Sequence, residues 1–334
     1  MVRSKWLKKF LFLLVIVLFF QEKIVAELTS PYLGVKGANF LKIGTSPRAE
    51  GMASSFISIG SGDIHSIYYN PAGVNGVKNI EFLFSTLDWI DDVTIYNFAF
   101  AKPVKKIDGV FSSSLSFLYI SPITRYDSWG EDIGSMAFYN MALTAGYARK
   151  FSEYKTGVNL KFLYEKINTD NLFGIAFDIG GIYEFDDFSI NLFNKYLLII
   201  RDFSVGAAFK NVGSKIGVDY LPSSFEWGYS LKIFKDLKFS LTVVKPLYTL
   251  ESFINSDYKM NFGVEYYFKN IFTIRTGYKL NYDIPNNFTL GFGIKTKFNR
   301  GIIIVDYAYA AYTYLEKTNR ISITLKIKTL KFWK

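Results

Sequence analysis

Apolar and polar side chains alternate with a period of two along most of the chain after residue 79. In YKTGVNLKFLYEK, the side chains of Val158, Leu160 and Phe162 fall on one face, and those of Asn159 and Lys161 fall on the other. The segments YKMNFGVEYYF and ISITLKIK follow the same rule. This pattern predicts β-strands with one face in an apolar environment and the other in a polar one.

The pattern predicts fourteen strands, and most are long enough for the roughly 9 to 11 residues that a tilted strand needs to cross a bilayer. The predicted strands cover 79–87, 93–102, 109–121, 135–150, 154–167, 172–186, 202–210, 222–234, 237–248, 257–268, 271–280, 286–298, 301–310 and 318–328. Part of 188–200 is also apolar enough to be strand-like.

The connections between these strands differ in length. Residues 234–236 and 268–270 form tight turns, which are typical of the periplasmic side of a barrel. Residues 122–134, 187–201 and 248–257 are longer, and we expect them on the outside.

Two architectures accommodate fourteen amphipathic strands. A soluble sandwich or propeller would pack the apolar faces together, usually with strands of about 5 to 6 residues. A transmembrane antiparallel β-barrel would turn the apolar faces to lipid and keep the polar faces inside. Long strands and an aromatic content of 19%, with 33 Phe and 24 Tyr, favour the barrel, since a soluble domain seldom carries so many aromatic residues. The predicted fold class is therefore all-β, a transmembrane barrel.

The first 26 residues have the layout of a secretory signal peptide. Basic residues precede an apolar run at 10–20, and Ala26 ends a short polar stretch before a cleavage position. A retained anchor helix is the alternative, but that run is shorter than the roughly 20 residues needed to span a bilayer. We expect export to the outer membrane of a Gram-negative-type envelope.

Composition excludes several function classes. Removing 1–26 strips five basic residues and one acidic residue, so the formal charge falls from +10 to +6, and the remaining basic residues are dispersed. No nucleic-acid partner is expected, because such proteins cluster Lys and Arg on one face. The chain has no Cys and one His, which argues against disulfides, thiolate catalysis and most metal sites. We expect no cofactor and no metal.

Residues 27–78 lack the strict alternation, and glycines divide them into short pieces. The stretch DIHSIYYNPAG ends in a turn-forming motif of Asn70, Pro71, Ala72 and Gly73, where proline fixes its own backbone angle and glycine permits a turn. Such a segment can fold into a barrel as a plug. On physical grounds alone, an ordinary surface turn fits the motif equally well.

The run NFLKIGTSPRAEGMASSFISIGSGDIHSIYYNPAG resembles the N-terminal region of the PorV/PorQ family of outer-membrane proteins. The similarity continues at FSVGAAFKNVG, LPSSFEWGYSLKI, NFGVEYYF, IRTGYKL and IIIVDYAYAAYTYLEKTNRISITL, so it covers most of the mature chain. The sequence departs from the family at Thr318, Asn319 and Arg320, where Thr-His-Arg is common. Its end, with Trp333 penultimate and Lys334 last, also lacks the terminal aromatic residue that is common among outer-membrane barrels.

That family is similar to the FadL-type barrels. The resemblance implies fourteen strands, an N-terminal hatch with an Asn-Pro-Ala sequence, and transport of hydrophobic compounds such as long-chain fatty acids. The predicted organisation is a signal peptide at 1–26, a plug at 27–78, a barrel at 79–328 and a C-terminal tail at 329–334.

Charged residues on the polar faces are the candidate binding groups. A Lys or Arg facing lipid at mid-bilayer costs roughly 2 to 4 kcal/mol, so these side chains should face the lumen. They either pair across the interior or contact a ligand directly. The strand phases place ten there: Glu81, Asp178, Glu226, Lys232, Glu265, Arg275, Lys279, Lys295, Asp306 and Lys326, with Asp178, Glu265, Arg275 and Asp306 as the main candidates. His65 is expected to be a hydrogen-bonded structural residue.

Three functions follow from these patterns and the resemblance. The first is a channel for hydrophobic small molecules, in contact with outer-membrane lipid. The second is a secretion or assembly factor with protein partners, as the resemblance to PorV, a component of type IX secretion, implies. The third, an enzyme, is disfavoured because a nucleophile needs a base and the one His lies outside the strands.

The signal-peptide interpretation predicts that the mature protein begins at or near Glu27. N-terminal sequencing of the protein from separated inner and outer membranes measures this directly. An intact Met1 in an inner-membrane fraction would contradict both the cleavage and the export.

Overall fold

The computed structural model describes residues 37–59, 62–90, 92–192, 196–233, 236–247, 258–282, 287–311 and 317–328. The predicted signal peptide at 1–26, the tail at 329–334 and the whole predicted loop at 248–257 lie outside the described residues.

The described residues form a β-sheet whose strands carry the predicted alternation. The strands are β1 Ile80–Asp88, β2 Val93–Val104, β3 Gly109–Tyr126, β4 Asp132–Phe151, β5 Tyr154–Ile167, β6 Asp170–Glu184, β7 Phe188–Leu192, β8 Tyr196–Gly213, β9 Ser224–Ile233, β10 Leu237–Pro246, β11 Lys259–Phe268, β12 Phe272–Leu280, β13 Phe288–Phe298, β14 Gly301–Ala310 and β15 Thr318–Ile327.

The sheet closes into a barrel of fourteen antiparallel strands. Consecutive strands pair from β1 to β6 and from β8 to β15, β15 pairs with β1, and β6 pairs with β8. Within the described residues, β7 pairs with β8 alone and forms a hairpin that extends beyond the closed ring. The predicted transmembrane barrel of about fourteen strands is confirmed.

The two ends of the barrel differ. One end carries the short turns at 105–108, 152–153 and 299–300, together with the first residue of β1 and the last residue of β15. Short turns are typical of the periplasmic end. We refer to this end as periplasmic and to the opposite end as extracellular.

Two of the predicted long loops differ from the structure. Residues 122–134 belong largely to the β3–β4 hairpin, which continues past two register shifts to a tight turn near Asp127. Alternation is lost there because side chains on both faces are exposed. The described residues of 187–201 contain β7 and the start of β8 and lie at the periplasmic end, whereas most of the predicted turn at 234–236 lies outside the described residues. The expected outside position was wrong, since connections in an up-and-down barrel must alternate between ends.

Strand residues divide into an apolar outer face and a small or polar inner face. On β1, Phe82 and Phe84 face outward, whereas Glu81 and Ser85 are buried inside. A closed barrel satisfies its backbone hydrogen bonds within the wall, so this outer surface suits a lipid environment. Among the described residues, no helix has the length and hydropathy needed to cross a membrane.

Short helical turns make up the regular structure at 37–78, before β1. They are the 3₁₀ turns Asn39–Lys42, Ile64–Tyr68 and Pro71–Gly76, and the α-helical turn Pro47–Glu50. Another 3₁₀ turn, Lys105–Ile107, connects β2 to β3.

The outward and inward faces can be tested with spin labels, because the chain has no native cysteine to interfere. Labels at Val158, Phe162 and Ile323, which are 48 to 49% exposed, should be relaxed strongly by lipid-soluble oxygen. Labels at Asn159 and Thr324, which are 1 to 2% exposed, should be protected. Electron paramagnetic resonance in vesicles reports both, and the inverse pattern would rule out a lipid-facing outer surface.

Candidate functional site

Residues 37–59 and 62–78, here called the inner segment, pack against the inward-facing side chains of the barrel and are mostly buried. Local sequence explains the sharp turns of this segment. The helical turn Pro47–Glu50 begins after Ser46, whose hydroxyl accepts a hydrogen bond from the Ala49 N–H at 3.1 Å. Proline at the first helical position suits this start, because its missing N–H has no partner to lose.

The Asn-Pro-Ala-Gly motif forms the contact of the inner segment with β6 and β8. The Asn70 amide oxygen accepts a hydrogen bond from the Ala72 N–H at 3.1 Å, which caps the turn Pro71–Gly76. Its amide nitrogen lies 2.7 Å from the Ile57 carbonyl oxygen and 3.2 Å from that of Gly181 in β6. A third carbonyl, that of Ala207 in β8, lies at 3.4 Å. Asn70 therefore links the inner segment to β6 and β8, two strands of the wall that pair with each other.

Glycines on the inner face of the wall make this contact possible. A Cβ atom on Gly180 would lie 2.1 Å from the Asn70 amide oxygen, and one on Gly157 would lie 2.4 Å from the Pro71 carbonyl carbon. Any larger residue at either position would push the motif away from the wall. Other inward-facing glycines touch the inner segment at similarly short range: Gly206, Gly263, Gly277 and Gly291.

An ion-pair cluster joins the inner segment to the opposite wall. Arg48 donates to both carboxylate oxygens of Glu265 in β11, at 3.1 and 3.0 Å, and also pairs with Asp63. Glu265 accepts from Arg275 in β12 at 2.8 Å, and Arg275 donates to Asp306 in β14 at 2.7 Å. Two arginines thus alternate with three carboxylates, and each buried charge has opposite charges beside it.

A second cluster lies nearer the extracellular end. Glu50 pairs with Lys279 of β12, accepts from the Ser54 hydroxyl at 2.7 Å and lies 4.0 Å from Arg320 of β15. The Arg320 Nε also donates to the Gly44 carbonyl at 2.8 Å. Burial alone would raise the pKa of Glu50, but the charges of Lys279 and Arg320 outweigh burial and lower that pKa to about 2.

Asp178 belongs to a third, separate cluster. Its carboxylate pairs with Lys161 of β5 at 2.8 Å and accepts from the Asn159 amide at 3.0 Å. It also accepts from the backbone N–H of Asn211 at 2.8 Å, next to the register shift between β6 and β8. The Asn159 amide in turn donates to the Ile67 carbonyl of the inner segment at 2.9 Å.

The structure therefore brings Glu265, Arg275 and Asp306 into one cluster and leaves Asp178 in another. Most of the other predicted inward charges pair in the same way, and Lys295 borders the cavity described below. The remaining pairs are Glu81 with Lys326 at 2.9 Å, Glu226 with Lys210 at 3.2 Å, and Lys232 with Asp202 at 3.2 Å.

A polar cavity of about 350 Å³ lies below the inner segment, toward the periplasmic end. Arg48, Asp63, Arg275 and Lys326 are among its lining residues. His65 also borders it, and its Nδ1 lies 2.8 Å from the Ser46 hydroxyl. Burial lowers the pKa of His65, although the neighbouring Asp63 opposes the shift.

An apolar cluster occupies the extracellular half of the interior. Phe40 of the inner segment packs there with Leu87, Leu118 and Leu163 of the wall and Ile216 of the β8–β9 connection. All five side chains are almost fully buried. The extracellular half of the interior therefore contains this apolar cluster as well as the Glu50 ion pairs, whereas the periplasmic half contains the polar cavity.

Sequence reasoning did not single out Arg48 and Glu50, which anchor two of the three clusters. A signal was available, because they are the two charged residues between Gly44 and Gly62 in an otherwise small or apolar stretch. The roles of Gly157 and Gly180 were also missed. Glycine on the polar face of a long strand often indicates close backbone approach, and that signal could have suggested them.

These features define a transmembrane β-barrel with an interior that is filled, in its described part, by residues preceding the first strand. No family model matches the chain, and no curated protein matches it. Among solved structures, it is similar to the CymD monoaromatic hydrocarbon channel, with 11% identity, a TM-score of 0.50, and coverage of 86% of this chain and 98% of that one.

It is also similar to the P. putida toluene transporter TodX, with 9% identity, a TM-score of 0.52, and coverage of 80% of this chain and 95% of that one. At this level of identity the likeness concerns the fold. The fold is thus FadL-like, as the sequence resemblance implied.

The Glu265 cluster yields a prediction about stability. Glu265→Gln should lower the free energy of unfolding by roughly 3 kcal/mol or more, because the buried Arg275 and the partly buried Arg48 lose their shared counter-charge. Urea unfolding in vesicles, followed by tryptophan fluorescence, measures the change.

Asp108→Asn is the matched control. It removes a carboxylate that pairs with Arg149 at 3.4 Å on the exposed rim, so it should cost less than about 1 kcal/mol. Equal effects of the two substitutions would show that the buried cluster has no special contribution to stability.

Proposed function

We propose that the protein is an outer-membrane channel for hydrophobic small molecules, with the inner segment as its plug. The observation that carries the proposal is the apolar cluster around Phe40, Leu118 and Leu163 inside the extracellular half of the barrel. The lumen of a water-filled porin is polar. An apolar lumen instead favours entry of molecules that gain free energy by leaving water, roughly 25 cal/mol per Å² of apolar surface buried.

The fold supports the same proposal. TodX is described as a toluene transporter and CymD as a monoaromatic hydrocarbon channel, and both share this barrel architecture over most of their length. The outer-membrane location follows from the barrel and its apolar outer face. We propose no enzymatic activity.

In this proposal, a solute first enters the apolar cluster and then meets the inner segment. The segment is held on one side by Asn70 and on the other by Arg48 and Glu50. A route to the polar cavity opens when one of these attachments is released. The Asn70 side is the easier one to release, because it consists of neutral hydrogen bonds and not of buried ion pairs.

We also propose that the protein is related to the PorV/PorQ family. This rests on the resemblance of residues 39–73, from NFLKIGTSPRAEGM to NPAG, to the N-terminal region of that family. It makes a secretion or assembly role the alternative function, with proteins as partners. Mass spectrometry of the detergent-purified protein distinguishes the two. One class of small hydrophobic molecule at near-stoichiometric amounts supports transport, whereas a tightly bound polypeptide supports secretion.

The plug hypothesis predicts that Asn70→Ala increases planar-bilayer conductance and changes uptake of toluene into vesicles. The reason is that the substitution removes the side-chain bonds to Ile57 and Gly181 and leaves their buried carbonyls without this donor, which costs roughly 1 to 3 kcal/mol. Heat-resistant migration on gels should remain, since the wall is unchanged.

Asn75→Ala provides the control, because Asn75 lies in the same helical turn, is half-buried and makes no hydrogen bond through its side chain within the described residues. It should behave like the parent protein. If Asn70→Ala also matches the parent in conductance and uptake, the motif is a structural turn and the gating role should be abandoned.

A further inference from the structure

A hollow of about 460 Å³ lies on the outer surface of the barrel, where β15 and β1 to β4 form the wall. This volume falls within the range of roughly 300 to 1,000 Å³ that is typical of ligand pockets. Its lining is mainly apolar and includes Phe82, Phe84, Phe98, Phe100, Leu143 and Ile323.

Side-chain size explains why the surface is hollow here. Two cross-strand aromatic pairs, Phe82 with Phe100 and Phe84 with Phe98, stand at centroid distances of 5.2 and 4.9 Å. The next strand places the small side chain of Ser113 opposite Phe100. The Ser113 hydroxyl donates to the Thr144 carbonyl at 3.0 Å, so it presents little unsatisfied polarity to the hollow.

The hollow lies in the periplasmic half of the wall, and a group of lysines lies on its periplasmic side. Lys102 follows Phe98 and Phe100 on the same outward face of β2, about 7 Å further along the strand. Lys105 and Lys106 follow in the turn between β2 and β3. All three lysines are exposed.

These lysines are available for an external anion. Within the described residues, none of the three forms an ion pair with an acidic side chain. The carboxylate in their turn, Asp108, pairs with Arg149 at 3.4 Å. The Tyr147 hydroxyl donates to the Ile107 carbonyl at 2.7 Å, which ties the turn to the wall beside the hollow.

We propose that this surface binds one anionic phospholipid of the periplasmic leaflet. An acyl chain occupies the hollow between the phenylalanines, and the phosphate group meets Lys102, Lys105 and Lys106. The arrangement matches the two parts of such a lipid, since apolar surface lies at membrane depth and free cations lie at the adjacent interface. The site is on the outside of the wall, so it is separate from the proposed transport route.

The test is native mass spectrometry of the full-length processed protein, released from detergent with phosphatidylglycerol or phosphatidylcholine of identical acyl chains. The parent protein should retain one phosphatidylglycerol in preference to phosphatidylcholine. Combined substitution of Lys102, Lys105 and Lys106 by Gln should reduce that preference by on the order of tenfold to a hundredfold, because each lysine near an anionic group contributes roughly a factor of five.

Ser113→Phe tests the hollow separately. It fills the space beside Phe100 and should reduce retention of both lipids, while Thr276→Phe, on the outward face of β12, should not. Both variants should keep heat-resistant migration, which shows that the barrel has formed.

The remaining control removes three basic residues at another place on the same rim of the barrel. Combined substitution of Lys269, Lys297 and Arg300 by Gln should leave the preference intact. If this control loses it to the same degree, attraction is diffuse and the site does not exist. A dimer that disappears in Ser113→Phe would instead show that a second copy covers the hollow, and that result would also overturn the proposal.

Discussion

The ion pair between Arg48 and Glu265 fixes the inner segment to the wall, and much of the interior is arranged around it. Lipid on the outer face directs charged strand residues at mid-bilayer depth into the lumen. A charge there is costly unless it is paired, so the wall needs partners that the strands alone do not supply in full. Arg48 and Glu50 of the inner segment provide them for Glu265 and Lys279.

The second requirement for filling the barrel is that the backbone of the inner segment lies close to the wall. The inner segment has short helical turns and many backbone groups that regular structure does not satisfy, so the wall must come near enough to bond with them. Gly157 and Gly180 allow this for the Asn-Pro-Ala-Gly motif, and the Asn70 amide then donates to the Ile57 and Gly181 carbonyls, with the Ala207 carbonyl also within 3.4 Å. Removing side chains from one part of the wall is therefore as important as placing charges on another.

Apolar and polar side chains are distributed unevenly along the barrel interior. The extracellular half holds the apolar cluster around Phe40 and Leu118 together with the Glu50 ion pairs, and the periplasmic half holds the Glu265 cluster and the polar cavity. An apolar solute is stabilised in the first environment and not in the second. In the proposed channel, the inner segment is the barrier between the apolar cluster and the polar cavity.

Sequence alone determined most of the wall strands, because their side chains alternate between lipid and lumen with a period of two, and this constraint is local. It assigned 122–134 and 187–201 to connections, where the structure has strand residues. It also identified Glu265, Arg275 and Asp306 as polar-face residues, and it could have placed 187–201 correctly, since alternation of the ends follows from strand order. Only the tertiary structure decided which charges meet. Arg48 and Glu265 are 217 positions apart in the chain, and their contact depends on ring closure, strand register and the path of the inner segment. None of these is encoded in the local periodicity, because the same alternation is compatible with many pairings inside the barrel.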